Sequence, residues 1–415
     1  MKHIYTSMDI GTNTIKIVVC ELYHNRLNLL ASSAYPARGI KKGLITDIDM
    51  ATESVRGALK EVEDILGIKI RKLVTNIPSF NAEYQIIKGS AEIKSEDNVV
   101  TSDDLVASLE NAAQNAPYTL REMVTIIPID YTLDDKTNIK NPKGMRGKIL
   151  DSRAILATTP RKNVYSVVSL LESMGIEIVD ISLNNIGDFY SFNNKKIEEK
   201  AGAIINIGHE ITTISLYNKG IIVKSSIINL GGKNIDQDIS NKFRVDLPTA
   251  ISLKTSFALA SKNYASVDDI VEVKSVKDAH YKINQYEVSK LIEEDLTEIL
   301  DQAKKEINLL TSKEIDYIII TGGMSNMKDI EYVVNDVFDE NTSIGNVKML
   351  GIRDNRYSAC VGNIVYFISK LKLKSKNYTM INDNEMYQVA SLNVKRNTQD
   401  NIIKKVFGFF FTDSE

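Results

Sequence analysis

The feature that most constrains this chain is a strand–turn–strand pattern that occurs at the N-terminus and again near residue 206. The first copy is a strand that breaks at Asp9-Ile-Gly-Thr-Asn-Thr14 and resumes as the alternating segment 15–19. Residues 201–217 repeat this plan, and Asn206-Ile-Gly208 echoes Asp9-Ile-Gly11. Such an internal repeat predicts two lobes built on one duplicated plan.

The turn of the first copy has the composition of an anion-binding loop. Gly11 permits backbone conformations that point several N–H groups the same way, and such clusters bind anions. The hydroxyl groups of Thr12 and Thr14 add donors. Asp9, at the mouth of the turn, carries a carboxylate suited to a hydrated magnesium ion beside a phosphate. The simpler alternative is an ordinary polar hairpin turn, and this turn taken alone favours that alternative.

A third glycine-bearing turn makes the phosphate hypothesis more specific. The apolar segment 315–321 is a predicted buried strand that runs into Gly322-Gly323-Met-Ser-Asn326. One hairpin from each lobe can hold a triphosphate between them, and a Gly-Gly turn lets a nucleoside approach the backbone closely. The order of the three turns therefore predicts a nucleotide cleft between two lobes.

Composition excludes several other classes. With 415 residues, two or more lobes are expected, and a net charge of -3 gives no overall electrostatic footprint for nucleic acid. The two cysteines cannot form a disulfide framework or a zinc cluster, which suits a reducing cytosol. No signal-peptide pattern opens the chain, and no apolar run is long enough to span a bilayer.

Apolar periodicity predicts helices over 49–66, 102–116, 162–174, 287–310, 329–338 and 357–371, and a helical region from 249. Gly67 is expected to end the first of these, Ser102 or Asp103 to cap the second, and Pro117 to stop it. Strands are predicted over 69–77, 84–87, 123–133, 149–158, 176–183, 221–228 and around 271–276. Residues 82–159 have the pattern of a small α+β module inserted into the first lobe.

The C-terminus predicts an amphipathic helix over 400–411. At about 100° per residue, one half of its circumference carries Ile402, Ile403, Val406, Phe407, Phe409, Phe410 and Phe411, and the other carries Lys404, Lys405 and Gly408. Twelve residues rise about 18 Å, which is too short to cross a hydrocarbon core of about 30 Å. A helix lying in the headgroup plane is therefore expected. The alternative, docking on the protein's own core, is disfavoured because a polar segment precedes the helix.

Together these motifs resemble the actin, heat-shock-protein-70 and sugar-kinase superfamily, and most closely the FtsA family of bacterial cell division proteins. Further signatures of that family are residues 39–47, Ile127-Pro-Ile-Asp-Tyr-Thr-Leu-Asp134 and Ile139-Lys-Asn-Pro-Lys-Gly-Met145. The last two lie in the inserted module, which is called 1C in that family and mediates subunit contacts in its polymers. The resemblance implies an α/β, actin-like, two-lobed fold of duplicated ribonuclease-H-like units with an inserted α+β subdomain.

The resemblance also implies domain boundaries. Lobe 1 (1A) would comprise 1–81, 160–192 and 345–371, with 1C at 82–159. The core of lobe 2 (2A) would comprise 193–227 and 313–344, with subdomain 2B at 228–312. A linker over 372–399 and the membrane-targeting helix at 400–415 would complete the chain.

By the same resemblance, residues 9–16 form the first phosphate loop, 206–213 the second and 321–326 the adenosine loop. No catalytic residue is assigned. Asp9 is expected at Mg²⁺, and the residues expected to bind ATP are Gly11, Thr12, Asn13, Thr14, Lys16, Asn206, Gly208, His209, Thr212, Gly232, Lys254, Gly322, Gly323 and Met324.

Two departures from the family pattern bear on chemistry. The superfamily usually has Asp where this chain has Asn206, and a neutral amide is a poor general base. Glu210 would either take over part of that role or repel the γ-phosphate. Ile251 stands where the family has a sugar-contacting Glu, while Lys254 remains to lie against the adenine or the sugar. ATP binding with slow or negligible hydrolysis is therefore expected.

The implied function is an ATP-binding adaptor that polymerises on the cytoplasmic side of the cell membrane and tethers FtsZ there at the division septum. Expected partners are further copies of the chain through lobe 1, 1C and lobe 2, the FtsZ C-terminal peptide on 228–312, the membrane and other division proteins, with no nucleic acid. The alternative is an enzyme of the same fold, a small-molecule kinase or chaperone-like ATPase. Fast ATP turnover without filaments would favour it.

Overall fold

Two lobes with matching sheets form the body of the molecule. The computed structural model describes residues 3–116, 120–276, 280–338, 341–382 and 385. Each lobe has a five-stranded sheet, and a separate four-stranded sheet is inserted into the first lobe.

In chain order, the first lobe and its insertion contain β1 (His3–Ile10), β2 (Thr14–Tyr23), β3 (Arg26–Pro36), β4 (Ile40–Lys41), β5 (Leu44–Ile45), α1 (Ile48–Leu66), β6 (Lys72–Ile77), β7 (Glu83–Glu92), α2 (Ser102–Gln114), β8 (Arg121–Leu133), β9 (Lys136–Ile139), β10 (Ile149–Pro160), α3 (Arg161–Ser173), β11 (Glu177–Leu183) and α4 (Asn184–Phe192). The chain continues with β12 (Ala201–Ile207), β13 (Thr212–Asn218), β14 (Ile221–Ile228), α5 (Gly232–Phe243), α6 (Leu247–Ser252), β15 (Ile270–Lys274), β16 (His280–Asn284), α7 (Gln285–Leu310), β17 (Tyr317–Thr321), α8 (Ile330–Phe338) and β18 (Thr342–Ile344), and returns to the first lobe at α9 (Ser358–Leu373).

The two large sheets share one topology. In lobe 1 the strand order is β11-β6-β1-β2-β3, and in lobe 2 it is β18-β17-β12-β13-β14. In both, a three-stranded antiparallel meander is extended on its first strand by parallel strands. The first strands, β1 and β12, are therefore equivalent, and the duplication predicted from the sequence echo is confirmed.

The insertion is an antiparallel sheet of order β7-β10-β8-β9 with α2 on one face. Gly89 lets the helix lie directly on the sheet, because a Cβ there would come within 2.3 Å of the backbone at Ser108 and Ala112. Leu109 and Leu156 are buried between the helix and the sheet. The α+β character predicted for this module is thus confirmed.

Apolar periodicity located six helices to within two residues of their observed ends, but it did not locate α4. In α1, Val55, Leu59, Val62 and Leu66 are buried as their spacing predicts, and full burial of such a side chain contributes about 1.5–3 kcal/mol. Met50, which the same spacing predicts to be buried, is 48% exposed at the first turn. Gly67 has φ 71° and its N–H donates to the Glu63 carbonyl, which ends the helix. The long helix α7 begins two residues before its predicted start and ends at the predicted Leu310.

One local expectation was wrong, and others are confirmed with shifted bounds. Thr101, not Ser102 or Asp103, caps α2, because Thr101 and Asp104 exchange side chain–backbone hydrogen bonds in a capping box. The strands expected around 271–276 are confirmed by β15 (Ile270–Lys274), which pairs with β16 (His280–Asn284) in a hairpin. The helical region expected from 249 begins at Leu247, where the Asp246 side chain accepts from the Thr249 N–H. Pro117, the predicted stop, lies outside the described residues.

The segment after α9 folds back onto lobe 1. The Met380 N–H donates to the Ile4 carbonyl at 2.9 Å, and Met380 and Ile381 are buried. The first part of the segment expected to be a linker therefore packs against β1. The predicted amphipathic helix at 400–411 lies outside the described residues, and within them no helix has the length and hydrophobicity needed to span a bilayer.

Candidate nucleotide site

The turn of the first hairpin is fixed by hydrogen bonds to neighbouring segments. The pair Ile10↔Ile15 is the last of the β1–β2 ladder, and the Gly11 N–H donates to the Thr14 carbonyl at 3.2 Å across the turn. The Asn13 carbonyl accepts from the Ala37 N–H, and the Thr12 hydroxyl accepts from the Gly43 N–H at 2.9 Å. The turn is thereby fixed between β3 and the β4–β5 hairpin.

Asp9 and Lys16 form an ion pair inside this hairpin. They are register partners on β1 and β2, and Lys16 Nζ lies 2.5 Å from Asp9 Oδ2, with each side chain 12% exposed. Burial alone would lower the pKa of Lys16, but the Asp9 carboxylate outweighs burial and raises it. The hairpin thus places a positive and a negative charge side by side at its turn, a combination that could contact a phosphate and a hydrated cation.

The second hairpin is braced by a helix N-terminus. The Gly208 N–H donates to the Ile211 carbonyl at 3.0 Å, and the carbonyls of Gly208 and His209 accept from the N–H groups of Gly232 and Lys233. These last two residues open α5. Its N-terminus therefore lies directly behind the hairpin, and the positive end of its dipole favours an anion there.

Glu210 spans the cleft. Its Oε1 pairs with Lys233 Nζ at 2.7 Å, and its Oε2 accepts the backbone N–H of Lys42, from the β4–β5 turn of lobe 1, at 2.9 Å. Burial would raise the pKa of Glu210, but the Lys233 ammonium and the Lys42 N–H lower it instead. Glu210 is therefore an ionised contact between the lobes rather than a free base.

The third turn meets the second hairpin. Gly322 has φ 91°, and a Cβ there would lie 2.4 Å from Asn206 Oδ1 and 2.5 Å from the Ile207 carbonyl. Met324 comes next to Gly232, because a Cβ on Gly232 would lie 2.8 Å from the Met324 sulfur and 3.1 Å from Lys254 Nζ. Gly232, Lys254 and Met324, three of the residues expected to bind ATP, thus come together.

Lys254 is buried more deeply than expected. Its ammonium pairs with Asp236 at 2.7 Å and donates to the Gly232 carbonyl at 2.8 Å. Burial lowers the pKa of Lys254 against the opposing effect of Asp236, and burial followed by Lys254 lowers the pKa of His209. The ammonium thus joins the helical turn Leu253–Phe257, which directly follows α6, to α5, while Ile251 on α6 is 38% exposed.

Asn206 has a partner that sequence reasoning missed. Its amide Nδ2 donates to Oδ2 of Asp188, on α4, at 2.7 Å. Asp188 is 1% exposed, and its Oδ1 accepts the hydroxyl of Ser358, on α9, at 2.6 Å. A lone carboxylate between Ile186 and Phe189 was the available signal, but nothing in the sequence indicates that α4 lies against β12.

The arrangement fits a nucleotide whose phosphates lie between the hairpins. Among the described residues, no group of three or more His, Cys, Asp and Glu side chains could hold a metal ion by itself. Asp9 fits the other common arrangement, in which one carboxylate, phosphate oxygens and waters share the ligation of Mg²⁺. The contacts predicted for the fourteen ATP-binding residues stay predictions.

Comparison with known families identifies two matching segments. The family model described as cell division protein FtsA matches residues 203–362, and the model described as the SHS2 domain inserted in FtsA matches residues 81–158. The second match falls on the β7–β10 insertion.

Similar proteins cover most of the chain. The cell division protein FtsA of Bacillus subtilis (strain 168) is 28% identical over 375 residues, 90% of this chain and 85% of that protein. The cell division protein FtsA of Streptococcus pneumoniae serotype 2 (strain D39 / NCTC 7466) is 25% identical over 360 residues, 85% of this chain and 78% of that protein.

Among solved structures, the PilM-PilN type IV pilus biogenesis complex matches with a TM-score of 0.57 and 15% identity, over 87% of this chain and 98% of that chain. MreB 5 of Spiroplasma citri bound to AMPPNP matches with a TM-score of 0.55 and 15% identity, over 89% of this chain and 97% of that chain. These similarities establish the fold as actin-like.

Proposed function

Because this chain belongs to the FtsA family of cell division proteins and has an actin-like fold, we propose that it is an ATP-binding adaptor that polymerises on the cytoplasmic face of the cell membrane and tethers FtsZ there. The observation that carries the proposal is the pair of glycine hairpins in equivalent strands, one from each lobe, with Asp9 and Lys16 in the first. The match to MreB 5 bound to AMPPNP supports ATP as the ligand.

Slow hydrolysis is part of the proposal. A general base needs a free acceptor within reach of the attacking water. In the second hairpin, Asn206 is an amide that donates to Asp188, and Glu210 is bound to Lys233 and Lys42. Both side chains are committed to structural contacts, which supports nucleotide as a structural switch more than as a rapidly consumed substrate.

The binding test is equilibrium titration of ATP with and without Mg²⁺. We expect one ATP per chain and at least tenfold tighter binding with Mg²⁺, because the metal neutralises phosphate charge beside Asp9. Equal binding with and without the metal would overturn the role assigned to Asp9.

Membrane attachment is assigned to the predicted helix at 400–411. One short helix binds a bilayer modestly, and a polymer that presents many such helices gains avidity without new contacts. The test compares the full chain with a variant lacking residues 400–415 in co-sedimentation with anionic liposomes. Loss of binding is expected for the truncated chain, and undiminished binding would refute membrane attachment through this helix.

Tethering of FtsZ is assigned to the lobe 2 surface over 228–312. This region carries Tyr264, 51% exposed, stacked on Tyr332 with ring centroids 4.2 Å apart. Exposed aromatic side chains are enriched at protein interfaces. We expect Tyr264→Ser to weaken binding of the FtsZ C-terminal peptide about tenfold, in the range of an aromatic anchor.

The matched control is Tyr23→Ser, because Tyr23 is a 42% exposed tyrosine stacked on His24 in lobe 1. It should leave peptide affinity unchanged. Equal loss in both variants would show that the peptide does not select the lobe 2 surface.

A further inference from the structure

Asp188 is a buried carboxylate that the nucleotide-binding proposal does not use. It is 1% exposed, and its two oxygens accept from two neutral donors, Asn206 Nδ2 at 2.7 Å and Ser358 Oγ at 2.6 Å. Burial raises its pKa to about 7 against these hydrogen bonds, and the Asp9 charge adds to the increase while Lys16 opposes it. A carboxylate that is buried despite the free-energy cost of desolvating its charge is a candidate for a functional role.

The residues around Asp188 join the two lobes in a ring. Asn206 and Thr321 are register partners on the parallel strands β12 and β17 of lobe 2. Asn206 reaches Asp188 on α4, and the Thr321 hydroxyl donates to the Ser358 hydroxyl on α9 at 3.1 Å. Ser358 then donates to Asp188, so that two neighbouring strands are bonded to two neighbouring helices.

Glycines allow this ring to close. A Cβ on Gly362 would lie 1.6 Å from the Gly187 carbonyl, and a Cβ on Gly187 would lie 2.5 Å from the Ala359 carbonyl. The backbones of α4 and α9 are thus in direct contact beside Asp188 and Ser358. Gly322, whose Cβ would strike Asn206 Oδ1, leaves room for the Asn206 side chain on the other side.

Charge explains why residue 206 is an amide. An aspartate at 206 would place its carboxylate within hydrogen-bond distance of Asp188, where two carboxylates share one proton and repel when both ionise. Asn206 instead donates to Asp188. The residue at 206 and the residue at 188 are therefore chemically matched across the lobes.

We propose that Asp188 is the positioning residue of the second phosphate hairpin: it holds Asn206 against α4 and keeps the carboxylate of this site behind the hairpin, away from the phosphates. The inference rests on the proposed function for its consequence, slow hydrolysis of a nucleoside triphosphate. The pairing itself is a property of the nucleotide-free protein.

The test is a reciprocal swap in the full-length chain: wild type, Asn206→Asp, Asp188→Asn, and both together. Each variant is unfolded in urea at pH 8 without nucleotide. We expect Asn206→Asp to raise the unfolding equilibrium constant at least tenfold more in the wild-type background than in the Asp188→Asn background, within the coupling range of hydrogen-bonded neighbours. The double variant should return to within about threefold of wild type.

Asn218→Asp, at the exposed end of the same β12–β13 pair, is the control. It should change the constant less than twofold in both backgrounds. If the two substitutions at 188 and 206 simply add, the pairing is refuted.

Phosphate release from ATP and Mg²⁺ tests the positioning role. We expect the swapped double variant to release phosphate about tenfold faster than wild type and faster than Asn206→Asp alone, because the negative charge moves from α4 to the hairpin only when residue 188 is an amide. Coupling in urea with equal release in all four proteins would make the pair purely structural and overturn the positioning role. If wild type binds no ATP, the proposed function fails, while the urea cycle still decides the pairing.

Discussion

The two phosphate hairpins have the same backbone and different electrostatics. Each follows the first strand of its sheet, and in each the glycine N–H donates across the turn, from Gly11 to Thr14 and from Gly208 to Ile211. The first hairpin contains both halves of its ion pair, Asp9 and Lys16. In the second hairpin the partners lie on other elements: Glu210 contacts Lys42 and Lys233, and Asn206 contacts Asp188.

This difference suggests that the two hairpins have different roles, although the repeat alone would predict the same role for both. A hairpin with its own buried ion pair is complete without the other lobe, so it is suited to fix the nucleotide. A hairpin whose side chains Asn206 and Glu210 each reach the opposite lobe is suited to sense or set how far the cleft opens. The duplicated plan determines the backbone, and the partner elements determine what each copy does.

The largest effect is expected from breaking the first hairpin. Lys16→Met removes the cation and leaves Asp9 nearly buried without its partner, so ATP affinity should fall about 100-fold, or about 3 kcal/mol, by titration. Lys60→Met, at an exposed pair with Asp64, should leave affinity unchanged. An equal, small effect of both variants would remove the first hairpin from the binding site.

The pH dependence of stability should report on Asp188, the buried partner of the second hairpin. Asp188 has a folded pKa of about 7 against 3.8 in the unfolded chain, so the native state binds more protons between these values and stability falls as pH rises from about 4 to 7. Asp188→Asn should flatten this decline by an amount on the order of 3 kcal/mol. The measurement is urea unfolding of both proteins across that range.

Asp295→Asn provides the comparison, because burial also raises the pKa of Asp295 to about 7, followed by the charge of Asp238. It lies on α7, far in sequence from the hairpins. Both variants should flatten the decline, but only Asp188→Asn should change the coupling to residue 206. A decline that is unchanged in Asp188→Asn would mean that this carboxyl ionises normally in the folded chain.

A smaller effect is expected from opening the contact across the cleft. Glu210→Gln weakens the bond to Lys233 and the acceptor for the Lys42 N–H, so release of bound nucleotide should speed up about fivefold, with a stability loss of about 0.5 kcal/mol because Lys233 is partly exposed. Glu293→Gln alters a similar carboxylate that binds Lys262 within lobe 2. Faster release in both variants would contradict a specific role for the interlobe contact.

The smallest effect concerns the sugar. Because Ile251 cannot accept a hydrogen bond from a ribose hydroxyl, ATP and dATP should bind with affinities within about twofold of each other. Ile251→Glu should give ATP a preference of about fivefold. Binding of dATP to the wild type at one-tenth of the ATP affinity or weaker would show that another group reads the 2′-hydroxyl.

How far the sequence sufficed also differs between the hairpins. The positions of Gly11, Thr12 and Asp9 in the first hairpin could be predicted from the sequence, because the strand, the turn and the ion-pair partner Lys16 lie within one continuous segment. Asn206 and Glu210 could be recognised as departures, but their partners lie on other elements, Asp188 18 residues and Lys42 168 residues away. They meet only through packing of α4 and of the β4–β5 turn. Lys254 was expected at the nucleoside, and its burial on Asp236 depends in the same way on how the helical turn Leu253–Phe257 packs on α5.

The most direct measurement is ATP binding and phosphate release in one sample of the full-length protein with Mg²⁺. The proposed function predicts saturable binding of one ATP per chain while release stays far below about one per second, the lower end of ordinary enzyme turnover. Binding without fast turnover would establish nucleotide as a structural ligand of the two hairpins. Turnover above that rate, or no saturable binding, would contradict it.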